Sequence, residues 1–190
     1  MAYYDDLQNV KNYIEMAKDC FAIELVSKLS RYLEKGGTIL ELGMGPGNDL
    51  ELLSENFHVT GSDKSPYFIE LYKEKNPEAE VLVMDAITLD IDRSFDCIYS
   101  NKVLPHLTKQ ELDMSIEKQW SILKENGILF HTFWKGDKLE HYGGMLNQYY
   151  LEAELKNKFS DGFEVILVES YMEFEEDDSI LIVLKKVENY

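Results

Sequence analysis

Residues 38–50 read Thr-Ile-Leu-Glu-Leu-Gly-Met-Gly-Pro-Gly-Asn-Asp-Leu, and this stretch decides the fold. Ile39, Leu40 and Leu42 form a short apolar run that ends on three glycines at alternate positions, Gly43, Gly45 and Gly47. Asn48 and Asp49 then open a new pattern, in which Leu50, Leu52 and Leu53 fall at helical spacing. The pattern predicts a buried strand, a tight glycine turn, and a helix started by a short polar side chain. Glycine has no Cβ, so such a turn lets a ligand lie against bare backbone. In open α/β sheets, a turn of this kind at the carboxyl end of the first parallel strand is where nucleotide-like cofactors sit.

The glycine spacing then selects among cofactors. A dinucleotide fingerprint requires G-x-G-x-x-G, whereas Asn48 follows Gly47 and the pattern here is G-x-G-x-G. A phosphate-gripping P-loop ends in G-K-[ST], and no lysine follows these glycines. Glu41 stands two places before Gly43, where a carboxylate repels pyrophosphate and suits an ammonium or sulfonium centre. At these residues the chain resembles motif I of the class I S-adenosylmethionine-dependent methyltransferases, an acidic residue followed by x and G-x-G-x-G. The competing reading is an ordinary strand-to-helix turn whose glycines serve packing alone.

Further along, 57–68 (FHVTGSDKSPYF) predicts a second strand ending at Asp63, then a helix from Pro66 to Lys75 with Ser65 before it. An acid at this place in nucleoside-binding α/β folds accepts hydrogen bonds from both ribose hydroxyls, two donors for two carboxylate oxygens. A third strand over 80–85 (EVLVMD) ends in Asp85, which with Ala86 resembles the family's adenine-reading pair, an acceptor beside a backbone donor. The short fourth strand, 95–100 (FDCIYS), and the loop 101–107 (NKVLPHL) resemble the family's fourth motif. Members that methylate amino groups of bases or glutamine amides carry [DNS]-P-P-[YFW] there, and Ser100-Asn101-Lys102-Val103 departs from it. The resemblance implies a cofactor site made by Glu41, Gly43, Met44, Gly45, Asp63, Lys64, Asp85, Ala86 and Asn101.

Two histidines are candidate general bases: His106 in that loop, and His131 near the end of the fifth strand, 127–134 (GILFHTFW). Each reads as well as a packing or capping residue, and no catalytic residue is assigned. A helix over 110–123 and the turn 124–127 lead into the fifth strand in a way that resembles the family's sixth motif. Residues 135–159 then interrupt the rhythm, with Tyr142, Tyr149 and Tyr150 around Gly143-Gly144. In the family this insertion carries substrate contacts; the segment also reads as a plain helix with surface tyrosines. Two closely spaced strands, 165–174 and 179–187, joined by the acidic run 175–178, predict an antiparallel hairpin at the sheet edge.

Ahead of the glycine stretch, Val10, Ile14, Ala17, Phe21, Leu25, Leu29 and Leu33 make one apolar stripe, predicting a single helix from about Leu7 to Glu34 that ends at Gly36-Gly37. It either covers a sheet edge or, as the resemblance implies, covers cofactor and substrate with Tyr3, Tyr4 and Tyr13 as lid aromatics.

Bulk properties set the outer bounds. The 190 residues suit one domain, and 45% hydrophobic with 12% aromatic residues indicates a packed core. Acidic residues outnumber basic ones 36 to 19, and a net charge of −17 opposes binding to a phosphate backbone. Cys20 and Cys97 match no metal or CxxC spacing, and no signal peptide or membrane span is visible. A cytoplasmic protein with reduced thiols, no metal, no nucleic-acid partner and no membrane partner is expected.

The expected fold is α/β: a Rossmann-like seven-strand, mostly parallel sheet with helices on both faces and a C-terminal antiparallel hairpin. It forms one domain over 1–190, residues 1–35 being a helical cover. The resemblance implies in-line transfer of the sulfonium methyl from S-adenosylmethionine to a small-molecule acceptor, with S-adenosylhomocysteine as product. The alternatives are an aminopropyl transferase using decarboxylated S-adenosylmethionine, an NAD-dependent oxidoreductase disfavoured by the glycine spacing, and a non-catalytic protein that keeps the cofactor pocket. No feature of the sequence names the acceptor or the oligomeric state.

Overall fold

The computed structural model describes residues 3–187. A 3-10 turn at Tyr3–Asp5 precedes helices α1 (Leu7–Met16) and α2 (Ile23–Leu29). Strand and helix then alternate through β1 (Thr38–Leu42), α3 (Asn48–Ser54), β2 (His58–Asp63), α4 (Pro66–Lys75), β3 (Val81–Val83), β4 (Phe95–Asn101), α5 (Lys109–Ile122) and β5 (Leu123–Trp134). A small hairpin, β6 (Leu139–Tyr142) and β7 (Met145–Gln148), and helix α6 (Glu152–Lys158) lead to β8 (Phe163–Tyr171) and β9 (Ser179–Lys186). Seven strands form one sheet in the order β3-β2-β1-β4-β5-β9-β8. The first five pair in parallel, and β9 runs antiparallel to both its neighbours. The chain winds outward from β1 to β3, then crosses to β4, so the strand order reverses beside β1. In such sheets the crevice outside the carboxyl ends at that reversal receives ligands.

Strand pleating sends consecutive side chains to opposite faces, which gives two apolar layers. On β9, Ile180, Ile182 and Leu184 join one layer, while Leu181 and Val183 join the other. The first layer is closed by Leu112 and Ile116 of α5 and Leu155 of α6. The second is closed by Leu25, Val26 and Leu29 of α2 and Leu53 of α3. Burial on both faces is why β9 reads as a continuous apolar run rather than an alternating one. Helix α5 is fixed at its start by a capping box: Thr108 Oγ1 accepts the Glu111 N–H at 3.2 Å, and Glu111 Oε2 accepts the Thr108 N–H at 2.8 Å.

Four segments depart from expectation, the first being the expected turn 124–127, which lies within β5 opposite a register shift on β4. The stripe over Leu7 to Glu34 is two helices, because Asn48 Nδ2 donates to the carbonyls of Ala17 at 2.7 Å and Cys20 at 2.8 Å. Asp49 Oδ1 accepts the Ala22 N–H at 3.2 Å. These bonds from the start of α3 hold 17–22 in an open bend and leave Phe21 exposed instead of on the stripe. Strand β3 stops at Val83, so Asp85 lies in the turn beyond it. Residues 135–159 are not one helix: Gly143 (φ +57°) and Gly144 (φ +84°) form the tight turn between β6 and β7. Both angles lie in the left-handed region that hairpin turns demand and glycine supplies. His106 Nδ1 donates to the Leu146 carbonyl at 2.7 Å and ties this hairpin to the turn before α5.

Candidate functional site

The three loop glycines do different jobs. All have positive φ: +63° at Gly43, +51° at Gly45 and +90° at Gly47. A Cβ on Gly43 would sit 2.5 Å from Val103 Cγ2, and one on Gly47 2.2 Å from Tyr72 Cε2. These two are glycine because neighbouring side chains press on the loop. Gly45 is buried under the Tyr13 ring, whose Cε1 would lie 3.7 Å from a Cβ there, so only its positive φ calls for glycine. Met44 turns its side chain into the cluster of Leu50, Ile69, Tyr72 and Val81, so only its backbone belongs to the loop's outer face.

Two of the three strand-end acids meet behind this loop. Glu41 is buried, and among the described residues its Oε2 has no hydrogen-bond partner. Burial lifts its pKa well above the ordinary carboxylate value, with Asp49 and Asp63 adding repulsion. Asp63 clamps the loop: Oδ2 accepts the Gly45 N–H at 3.0 Å and Oδ1 accepts the Ser65 N–H at 2.8 Å. Burial raises its pKa and those backbone donors oppose the rise. Asp85 stands one strand further out, where Oδ2 pairs with Lys64 Nζ at 2.7 Å and Oδ1 accepts the Ile87 N–H at 2.9 Å. Lys64 is largely exposed, so the pair adds little to stability.

On the β4 side, Asn101 is spent on the protein: Nδ2 donates to Asp49 Oδ2 at 3.1 Å, and Oδ1 accepts from Thr132 Oγ1 at 2.7 Å. Asp49 also accepts the Tyr99 hydroxyl at 2.8 Å, which makes it the hub joining α2, α3 and β4. Next to it Lys102 holds a left-handed φ of +56°, unusual for a residue with a side chain. Its ammonium donates to Phe133 O at 3.1 Å and Ser179 Oγ at 2.5 Å, and lies 3.9 Å from the centre of the Trp134 ring. Burial brings its pKa down to about 8, against the pull of Glu173 and Asp178. The two histidines part company. His131 is buried, with Nδ1 on Ser100 Oγ and Nε2 on Gln119 Oε1, both at 2.8 Å, so it does not reach the crevice. His106 keeps an exposed edge, and with Nδ1 donating to Leu146 its Nε2 is the bare nitrogen. The protein around it lowers its pKa.

Two covers meet over the loop. Tyr4 and Tyr13 pack edge-on at 5.4 Å between ring centres, and both lie against Phe68 of α4. Ser65 Oγ donates to Tyr4 O at 2.7 Å, tying the N-terminal turn to the residue beyond Asp63. From the other side comes the β6–β7 turn, where a Cβ on Gly143 would fall 2.8 Å from Tyr3 Cε2.

Residues 39–127 match the family model described as a methyltransferase domain. Over that stretch, just under half of the 190 residues, the chain is similar to that family. Over 111 residues it is 35% identical to a trans-aconitate 2-methyltransferase of Methylobacterium radiotolerans, covering 57% of this chain and 41% of that one. Over 133 residues it is 33% identical to an uncharacterized methyltransferase of Anoxybacillus flavithermus, covering 68% and 60%. The chain spans less than half the length of the trans-aconitate relatives it matches. Among solved structures it superimposes on the Burkholderia thailandensis 1,6-didemethyltoxoflavin-N1-methyltransferase with a TM-score of 0.77, at 16% identity, over 96% of this chain and 87% of that one. That likeness is one of fold.

Within this methyltransferase fold the sequence pattern located the loop and its acids but passed over Asp49, Tyr99, Thr132 and Lys102. Asp49 carried a signal, an acid in the first turn of the helix after the glycines, where the helix dipole favours it. Thr132 and Lys102 carried none, since their roles depend on which strands become neighbours.

Proposed function

We propose that the chain binds S-adenosylmethionine at the β1–β3 strand ends and methylates a small-molecule acceptor. The observation that carries this reading is Glu41 Oε2, a buried acceptor left unpaired at the end of β1, close enough to the Asp63 carboxylate to feel its charge. Leaving such a group unsatisfied costs about 1–3 kcal/mol, and a cationic ligand would offset it. The donor set fits the group. Asp63 takes backbone N–H groups of Gly45, Ser65 and Lys64, and the acceptor capacity it has left suits a ribose hydroxyl. Asp85 and Ala86 supply an acceptor and a donor for adenine. In this reading Gly43, Met44 and Lys64 contribute backbone, and Asn101 acts through Asp49 rather than by touching the ligand.

Bound there, the cofactor supplies a methyl group already activated on sulfur. What remains for the protein is to hold an acceptor atom in line and keep water away, so positioning supplies most of the rate. The two covers suit that task, and residues 1–35 with the β6–β7 hairpin are read as the roof of a single domain over 1–190. A roofed crevice in a chain of charge −17 supports a small molecule, not nucleic acid, and a cytoplasmic setting with free Cys20 and Cys97. His106 is the candidate base with a bare ring nitrogen. Isothermal calorimetry tests the reading: S-adenosylhomocysteine should bind the natural protein, and Asp63→Ala should weaken binding at least about 100-fold by removing a two-point contact. No binding to the natural protein would overturn it.

A further inference from the structure

Between α5 and the sheet, four side chains with no exposed surface form an unbroken polar chain: Ser100, His131, Gln119 and Ser115. Ser100 Oγ lies 2.8 Å from His131 Nδ1, and His131 Nε2 lies 2.8 Å from Gln119 Oε1. Gln119 Nε2 reaches Ser115 Oγ at 3.0 Å, and Ser115 Oγ reaches the Ala86 carbonyl at 2.6 Å. The last acceptor fixes every proton before it. A carbonyl only accepts, so Ser115 gives its single hydroxyl proton to Ala86. Ser115 must then accept from Gln119, which turns the amide nitrogen toward it and Oε1 toward His131. His131 therefore carries its proton on Nε2 and takes the Ser100 proton on a bare Nδ1. The ring is neutral, as its burial requires.

A buried polar chain inside an apolar layer is costly unless every member is paired, and an apolar filling of the same shape is often as stable or better. Its far end is informative. The Ala86–Ile87 peptide is gripped from both sides, its carbonyl by Ser115 and its N–H by Asp85 Oδ1. Ser115 thus sets the plane of the peptide that in turn orients the Asp85 carboxylate. We propose that Ser115, backed by Gln119 and His131, is a positioning residue for the base of the cofactor, aligning Asp85 and Ala86 to read an adenine edge. This rests on the cofactor reading above and adds the device that sets base selectivity.

The test compares two probes by calorimetry, S-adenosylhomocysteine and its inosine counterpart, in which an oxo group replaces the adenine amine. The natural protein should prefer the adenosyl compound. Ser115→Ala should weaken that compound about ten-fold, the worth of one well-placed hydrogen bond, while affecting the inosyl compound far less, so the preference shrinks. An unchanged preference, or equal losses for both probes, would overturn the proposal. If Ser115→Ala does not fold, the ring 15N shifts of His131 in the natural protein decide: Nε2 must carry the proton across the neutral range, and a proton on Nδ1 overturns the chain. Failure of the natural protein to bind either probe strikes the cofactor reading instead.

Discussion

Burial and the nearby Asp49 and Asp63 carboxylates keep the Glu41 carboxyl pKa well above 4.5. The folded state therefore holds a proton more tightly than the unfolded chain, and stability falls as pH rises from 4.5 through the folded value. Glu41→Gln removes that penalty. At neutral pH its melting temperature should rise by about 2–4 °C, the scale of one kcal/mol in a chain of this size, while S-adenosylmethionine affinity drops. A melt that falls, or affinity that holds, would show that Glu41 serves packing. His131 works with the opposite sign. Its pKa is held down to about 3 against 6.5, so the unfolded chain binds the proton first and stability is lost as pH falls from 6.5 toward 3. The two slopes oppose one another between 4.5 and 6.5. Denaturant titrations should therefore find the stability of Glu41→Gln rising more steeply with pH there than that of the natural protein. Glu41 and Asp63 were legible in the sequence because they occupy fixed places relative to strand ends. Nothing in the sequence pattern shows that His131 is sealed off, since strand alternation gives a face and not what covers it.

The strand-helix rhythm was legible from β1 to β5 because each element buries its own periodic face, and β9 announced itself as an unbroken apolar run. The break between α1 and α2 was hidden, since the stripe continues through it and the cause lies in Asn48, across the fold. Asn48→Ala takes the donor from two carbonyls at once. It should cost about 1–2 kcal/mol in chemical denaturation and speed amide exchange through 17–22, leaving the sheet strands protected. Uniform loss of protection would mean that the bend does not depend on this side chain. At α5, Thr108→Ala removes one half of the capping box, with an expected cost of about 1 kcal/mol. The same denaturation series measures it. The β6–β7 hairpin was missed for another reason: β6 is exposed along its length, β7 is only partly buried, and neither has the apolar alternation by which strands are recognised, leaving only Gly143-Gly144 as a sign.

Two segments from distant parts of the sequence, Tyr3–Asp5 with α1 and the β6–β7 hairpin, meet where Gly143 lies against Tyr3. Gly143→Ala should disturb only their meeting point, because the new methyl group would press on Tyr3 and strain a backbone at φ +57°. In stopped-flow mixing, S-adenosylhomocysteine should then leave faster than from the natural protein, with the equilibrium base preference intact; unchanged dissociation would mean that the covers open elsewhere. Tyr3 rests there on bare backbone, so positions 3 and 143 touch through a ring and a peptide with no second side chain between them.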